Sequence, residues 1–228
     1  MTIAVVLVAS GCGGGGGGGG QSNPTIDPAN FVAQVTNPYF ALTPGTTFNY
    51  DSQTDGAPQT IVVTVTHDTK TILGVPITVV HDVVMQNGAV AEDTFDWYAQ
   101  DKDGNVWYFG EDTKAFDNGQ VSTEGAWEAG VDGAQPGIIM EGHPQVGDAY
   151  RQEFARGVAQ DRGQVLSLNE SATVPYGSFQ NCLKTKEFSD LEPGVVENKV
   201  YCPNVGQVLA TTVQGGSDFE KLVSITHE

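Results

Sequence analysis

The chain reads as an all-β domain, an antiparallel meander forming a curved sheet or half-barrel behind one short N-terminal helix. Three observations carry that reading. Runs of β-branched residues recur with period two, turn dipeptides punctuate them, and no amphipathic stretch is long enough to serve as the crossover helix that parallel strands require.

Residues 1–8 form a continuous apolar run, far short of the roughly 20 residues that span a bilayer, and read as the h-region of a secretory signal. The run ends in Ala9-Ser10-Gly11-Cys12, which resembles the lipobox of bacterial lipoprotein precursors, although Ala9 stands where that motif usually has Leu and no Lys or Arg precedes it. The resemblance implies a signal peptide over residues 1–11 and lipidation of Cys12; the alternative is an apolar strand with a chance cysteine. Glycines at 13–20, then Gln21-Ser22-Asn23-Pro24, cannot pack and behave as a flexible coil. Residues 12–26 are thus a lipidated cysteine and tether, and a coil over 13–30 reaches about 25 Å. Gly13 follows Cys12 where an Asp would resemble an inner-membrane retention signal, so in a Gram-negative host the outer membrane is favoured.

The single folded domain then occupies residues 27–228. Asp27 can cap a helix whose first position is Pro28 and whose apolar residues are Phe31, Val32 and Val35, which predicts one or two helical turns. Strands are expected over 46–51, 60–67, 77–85, 90–99, 106–111, 148–156, 159–168, 182–189, 196–202, 207–213 and 219–226. Asn87-Gly88, Asp103-Gly104-Asn105 and Asn118-Gly119 sit between such runs as hairpin turns should. Between 121 and 147 the pattern breaks into a glycine-rich stretch, read as a long loop and the first place to look for a site.

With Cys12 set aside, Cys182 and Cys202 remain, and Leu191-Glu192-Pro193-Gly194 between them is a turn signal. A hairpin symmetric about position 192 places the two opposite each other, within disulfide reach. Two buried free thiols are the alternative.

The net charge of −18 repels a phosphate backbone, which argues against nucleic-acid partners, while 39% apolar residues with ten Phe and seven Tyr suffice for a core. Eleven carboxylates and only Lys102 and Lys114 lie between 92 and 132. Interleaved with Trp97, Trp107, Tyr108 and Trp127, they are candidates for a cation- or sugar-binding surface together with Glu128, Asp132 and His143. The plainer reading sends the aromatics to the core and the acids to solvent. Asp101, Asp103 and Asn105 have the spacing of a calcium loop, but Val106 stands where an EF-hand needs Gly, so a hairpin tip is the simpler account. Glu124, Glu128 and Asp132 are the carboxylates a glycosidase would use. Glu141 and His143 could contribute a base or metal ligands, and His67 and His81 face each other only if their hairpin is centred on Gly74; a turn nearer Lys70 and Thr71 breaks that pairing.

The segments Asp96-Trp97-Tyr98-Ala99-Gln100-Asp101, Gly104-Asn105-Val106-Trp107-Tyr108-Phe109-Gly110-Glu111 and Trp127-Glu128-Ala129-Gly130-Val131-Asp132-Gly133-Ala134 resemble an uncharacterised family of secreted bacterial proteins and lipoproteins. So do Val174-Pro175-Tyr176-Gly177-Ser178-Phe179 and the later Tyr201-Cys202-Pro203-Asn204-Val205-Gly206-Gln207-Val208. That resemblance implies no known activity. More distantly the strand plan is similar to the half-barrels of envelope lipid carriers. Taken together these readings describe a membrane-anchored envelope lipoprotein that binds a small molecule, a glycan or an envelope protein without catalysis. Two other classes stay open: an extracellular carbohydrate-active hydrolase using residues 124–132, and a structural surface protein.

Overall fold

The computed structural model describes residues 24–228. The signal-peptide, Cys12 and glycine-tether readings fall outside them. Asp27 caps as expected, its carboxylate accepting from the Ala29 amide at 3.0 Å, but only a 3-10 turn, Pro28–Asn30, follows. The expected helix is replaced by an extended chain: β1 (Phe31–Val32) pairs with β5 (Ala89–Asp101). This places Phe31 edge-on against Trp107 and Phe109, with ring centres 6.2 and 5.6 Å away. Tertiary packing overrides the local helix signal here.

Four long antiparallel strands come next: β2 (Thr46–Thr54), β3 (Ala57–Ile72), β4 (Val75–Gln86) and β5. They are joined by the two-residue turns Asp55-Gly56, Leu73-Gly74 and Asn87-Gly88, with both residues of each at positive φ. Such turns match the right-handed twist of the strands they connect. Leu73, at φ 51°, is an unusual occupant of that geometry, and the turn lies at Leu73-Gly74, next to the Gly74 centre rather than at Lys70 and Thr71. A register shift between Val65 and Thr69 leaves His81 opposite Thr64, so His67 and His81 do not pair.

The outer edge of β6 (Val106–Asp117) is covered by one interrupted strand, which corrects the long loop expected over 121–147. Its pieces are β7 (Gln120–Ser122), β8 (Trp127–Glu128) and β9 (Gln135–Met140), each antiparallel to β6. Gly110, at φ 126°, has no room for a side chain because the Trp127 carbonyl lies where its Cβ would be. The following segment, residues 149–154, is paired on two sides. Its first part, β10 (Ala149–Arg151), pairs with β12 (Asp161–Val174), and its second, β11 (Glu153–Phe154), pairs with β9. Between them the Gln152 amide donates to the Asp161 carbonyl at 2.9 Å. At this crossing Gly137 of β9 packs against the backbone of Arg151 and Gln152, where no Cβ fits.

From β12 the meander continues through β13 (Gly177–Ser189), β14 (Val196–Cys202), β15 (Gly206–Gln214) and β16 (Phe219–His227), which pairs back onto β2. The sheet therefore returns on itself as a nearly closed barrel, a tighter architecture than the expected half-barrel. Its weakest join is the two-residue pairing of β9 with β11. The β13–β14 hairpin is symmetric about 192, as Leu183↔Tyr201 and Glu187↔Glu197 show, and Cys182 and Cys202 are disulfide-bonded.

The interior has two unlike ends. At one, Val65, Val80, Tyr98, Val106, Met140 and Val208 pack together, and residues 35–42 fold over them. Gln100 accepts from the amides of Thr36 and Asn37, the Asn37 side chain donates to the carbonyls of Gly104 and Glu141, and the Asn204 amide donates to Pro38. Phe40, carried by this segment, touches Tyr98 of β5 and Tyr201 of β14, whose rings lie 5.3 and 6.3 Å from its own. Opposite walls of the barrel thus meet, and the interior is filled. The other end, toward the turns at 55–56, 87–88 and 118–119, is lined by acids.

Candidate functional site

Strand alternation directs every second side chain inward, and at the acidic end many of those positions are carboxylates. Val80, Asp96 and Glu111 are register partners across β4, β5 and β6; one step along, so are Asp82, Thr94 and Thr113. Asp82, Asp96, Glu111, Glu153 and Glu187 are all buried, with the partly buried Glu92, Asp161, Glu197 and Glu220 around them. Lys199 is the buried cation among them.

On the β13–β14 wall, Glu187 and Lys199 form a hydrogen-bonded ion pair at 2.8 Å with side chains only 6% and 4% exposed. Tyr201 and Thr185 also donate to Glu187, at 3.1 and 2.9 Å, and Glu197 approaches Lys199 at 3.8 Å. Burial pushes the Glu187 carboxyl up, but Lys199 and these donors more than offset it and leave it below the ordinary range. Lys199 is held well above its usual range: burial lowers it, and Glu187 and Glu197 overcome that.

The opposite wall has no such cation. Tyr108 donates to Asp96 at 2.7 Å, the Trp127 indole to Glu153 at 3.1 Å, and the Thr94 hydroxyl to Glu92 at 3.1 Å. These neutral donors do not compensate for burial. Desolvation pushes Asp96 up to about 6 and Glu92 up to about 7. Burial, then the negative charges of neighbouring acids, raises Asp82, Glu111 and Glu153 well above the carboxylate range. On the Lys199 side, in line with it across Ala210, Glu220 is bonded by Gln207 at 2.8 Å and also rises to about 7, burial and Glu197 outweighing the ammonium. One oxygen of Asp82 lacks a hydrogen-bond partner altogether. Burial without a cation therefore favours the protonated form of the acids on the β4–β6 wall, and in that form a carboxyl can donate as well as accept.

The expected aromatic and acidic surface is dispersed. Tyr108 and Trp127 meet edge-on inside the barrel, ring centres 5.5 Å apart. Trp97 lies on the outer face beneath the Lys70 ammonium, 3.2 Å from its ring centre, and the same ammonium binds Glu128 at 2.7 Å. Trp107 is half-buried and donates to Asp101 at 2.8 Å. Asp132 is an exposed turn residue at φ 49°, and Glu124 and His143 are exposed elsewhere. Asp101 accepts from the amides of Asp103 and Asn105, from the Asn105 side chain and from Trp107, so protein donors occupy both oxygens and shape the hairpin tip. His67 is exposed near Glu228, and His81 binds Asp93 at 2.9 Å while stacking on Phe95. Glu141 is raised to about 7 by burial and Asp148. No group of three or more His, Cys, Asp and Glu among the described residues is arranged to hold a metal.

The interior acids are hidden in the sequence because Asp96 lies beside Trp97, either of which could face inward, and because Glu111 shares the parity of the outward Phe109 and faces the opposite side only through the register shift at Gly110. The available signal was register: a strand pairing with Ile61, Val63 and Val65 must turn Asp82 to the same side as those valines. Two small clefts indent the domain. One of about 10 Å³ at the acidic end is lined by Glu197, Phe219 and Glu220 among others, and one of about 20 Å³ at the apolar end by Phe40, Leu42, Phe48, Tyr50 and Gln207. Each has room for about one water.

No protein-family model matches the chain, and no curated protein sequence matches it. Among solved structures it is similar to a protein of Bacteroides fragilis described as exported and of YmcC-like fold, at 15% identity and a TM-score of 0.50 over 84% of this chain and all of that one. It is also similar to a protein of Parabacteroides distasonis described as a lipoprotein, at 14% identity and a TM-score of 0.49 over 85% of this chain and all of that one. At such identity the likeness with the first speaks for the fold: the chain has a YmcC-like arrangement of strands.

Proposed function

We propose that the protein is a lipid-anchored cell-envelope protein whose barrel binds a partner through its outer surface, without catalysis. One observation carries the choice of outer surface over interior. Ligand sites for small molecules enclose roughly 300–1,000 Å³, whereas the clefts here hold about 10 and 20 Å³. Phe40 and the two tyrosines it touches fill the space in which a half-barrel carrier would hold an acyl chain. Glu124, Glu128 and Asp132 line neither of these clefts. The envelope address rests on the lipobox-like Cys12, the glycine tether and the description of the similar Bacteroides fragilis structure as exported.

Native mass spectrometry of the purified protein tests the interior. A mass equal to the processed polypeptide with its anchor is expected; a stoichiometric additional lipid or sugar would overturn the reading. Cys12→Ser tests the anchor: the variant is expected to leave the membrane fraction, and continued retention would refute lipidation there.

A further inference from the structure

The barrel is closed by its shortest ladder, and a buried acid sits in that ladder. Only Glu153↔Pro136 and Phe154↔Gln135 join β11 to β9, while on the other side of the segment the Gln152 amide ties it to Asp161 of β12. Glu153 points inward, fully enclosed, with the Trp127 indole as its hydrogen-bond donor. The groups that face it are acids or phenols. Asp161 lies on β12, Glu111 and Tyr108 on β6, and Asp96 and Tyr98 on β5, while β9 presents only Gln135 and Pro136. The nearest buried cation, Lys199, is engaged by Glu187 and Glu197 and acts on Asp161 rather than on Glu153.

We propose that Glu153 is a protonation latch: the β9–β11 seam is closed while this carboxyl carries its proton and opens when the proton is lost to solvent. A charged carboxylate enclosed among Asp96, Glu111 and Asp161 has no counter-ion, and the cheapest relief is to break two residue pairs and let water reach it. The closed form binds the proton more tightly than the open form, since burial and Asp161 raise the acid. Linkage then sets the sign. Closure is strongest at pH below the ordinary carboxylate range and weakens as pH rises toward the raised value of the closed form. Opening would let water reach the buried acids between β9 and β12.

Hydrogen exchange on the full chain, corrected for intrinsic rates, tests this at the amide of Phe154, whose register partner across the seam is Gln135, with Leu183 on the disulfide-tied β13 as reference. Protection at Phe154 relative to Leu183 is expected to fall up to about tenfold per pH unit through the titration. In Glu153→Gln it is expected to be flat. A flat wild-type profile, or an equal fall in Glu153→Gln, would overturn the latch. Should Glu153→Gln fail to fold, Asp161→Asn decides the matter. It removes the neighbouring charge and leaves the β9–β11 ladder in place, so the midpoint of the fall in Phe154 protection and that of the Trp127 indole N–H resonance should both move to lower pH. An unmoved midpoint would sink the proposal.

Discussion

The two walls of the acidic lumen contain the same kind of residue at the same depth and treat it oppositely. Glu187 on β13 is as enclosed as Glu111 or Glu153, yet its ionised form is favoured, whereas theirs is disfavoured. The difference is one ammonium group, Lys199, 2.8 Å from Glu187. Burial alone therefore does not decide what a carboxyl becomes; a directly bonded counter-ion does, and Glu197 and Glu220, which Lys199 reaches less closely, are still raised. The one ammonium stabilises Glu187 by charge pairing and leaves the β4–β6 wall dependent on protons.

The largest effect should come from erasing that difference. Lys199→Met leaves Glu187 buried and unpaired and is expected to lower stability by about 3–5 kcal/mol in chemical denaturation. Adding Glu187→Leu to it should recover most of the loss; no recovery would mean that Lys199 acts through packing alone. Next, replacing Cys182 and Cys202 by alanine frees a loop spanning 20 residues and should cost about 3 kcal/mol. The loss of exchange protection should concentrate on β13 and β14, and an even loss over the whole barrel would show that the two walls are not separate units.

A somewhat smaller effect is expected from pH. Asp96 at about 6 and Glu92 and Glu220 at about 7 hold protons in the folded chain that the unfolded chain releases near pH 4, so stability drops as pH rises through that window. Glu187 is lowered and works in the other direction, losing its contribution as the pH falls below the ordinary carboxylate range. The melting temperature should therefore peak on the acid side of neutrality and fall by roughly 4–8 °C for each 2 kcal/mol lost toward pH 8. A maximum above pH 7 would contradict the proton-dependent wall. The smallest effect concerns Glu111→Gln, which should stabilise by about 1 kcal/mol at pH 8 and leave pH 5 unchanged. Equal effects at both pH values would mean that packing rather than ionisation is being measured.

Much of this fold was legible because its hairpins are local. Asn87-Gly88 and Asn118-Gly119 announce their turns, and the centre at 192 places Cys182 by Cys202 without any knowledge of the rest. What escaped was non-local. Nothing near Gly137 says that another backbone crosses there, and nothing near Phe31 says that Trp107 waits for it. The break at 121–147 looked like a loop because three strand fragments of two to six residues are too short to show a period. The candidate site suffered most. Trp127 and Glu128 are neighbours in sequence, yet one points into the barrel toward Glu153 and the other out toward Lys70. Alternation separated the residues that composition had grouped.

The position of Pro28 gives the molecule an up and a down. It packs against Gly74 at the tip of the β3–β4 hairpin, and Asn30 accepts from Lys102 in the next turn along, so the chain enters the barrel at its apolar end. A strand rises about 3.3 Å per residue, and the 12 residues of β4 cover roughly 40 Å. The point where the described chain enters and the acid-lined turns at 55–56, 87–88 and 118–119 therefore lie at opposite ends, a strand's length apart.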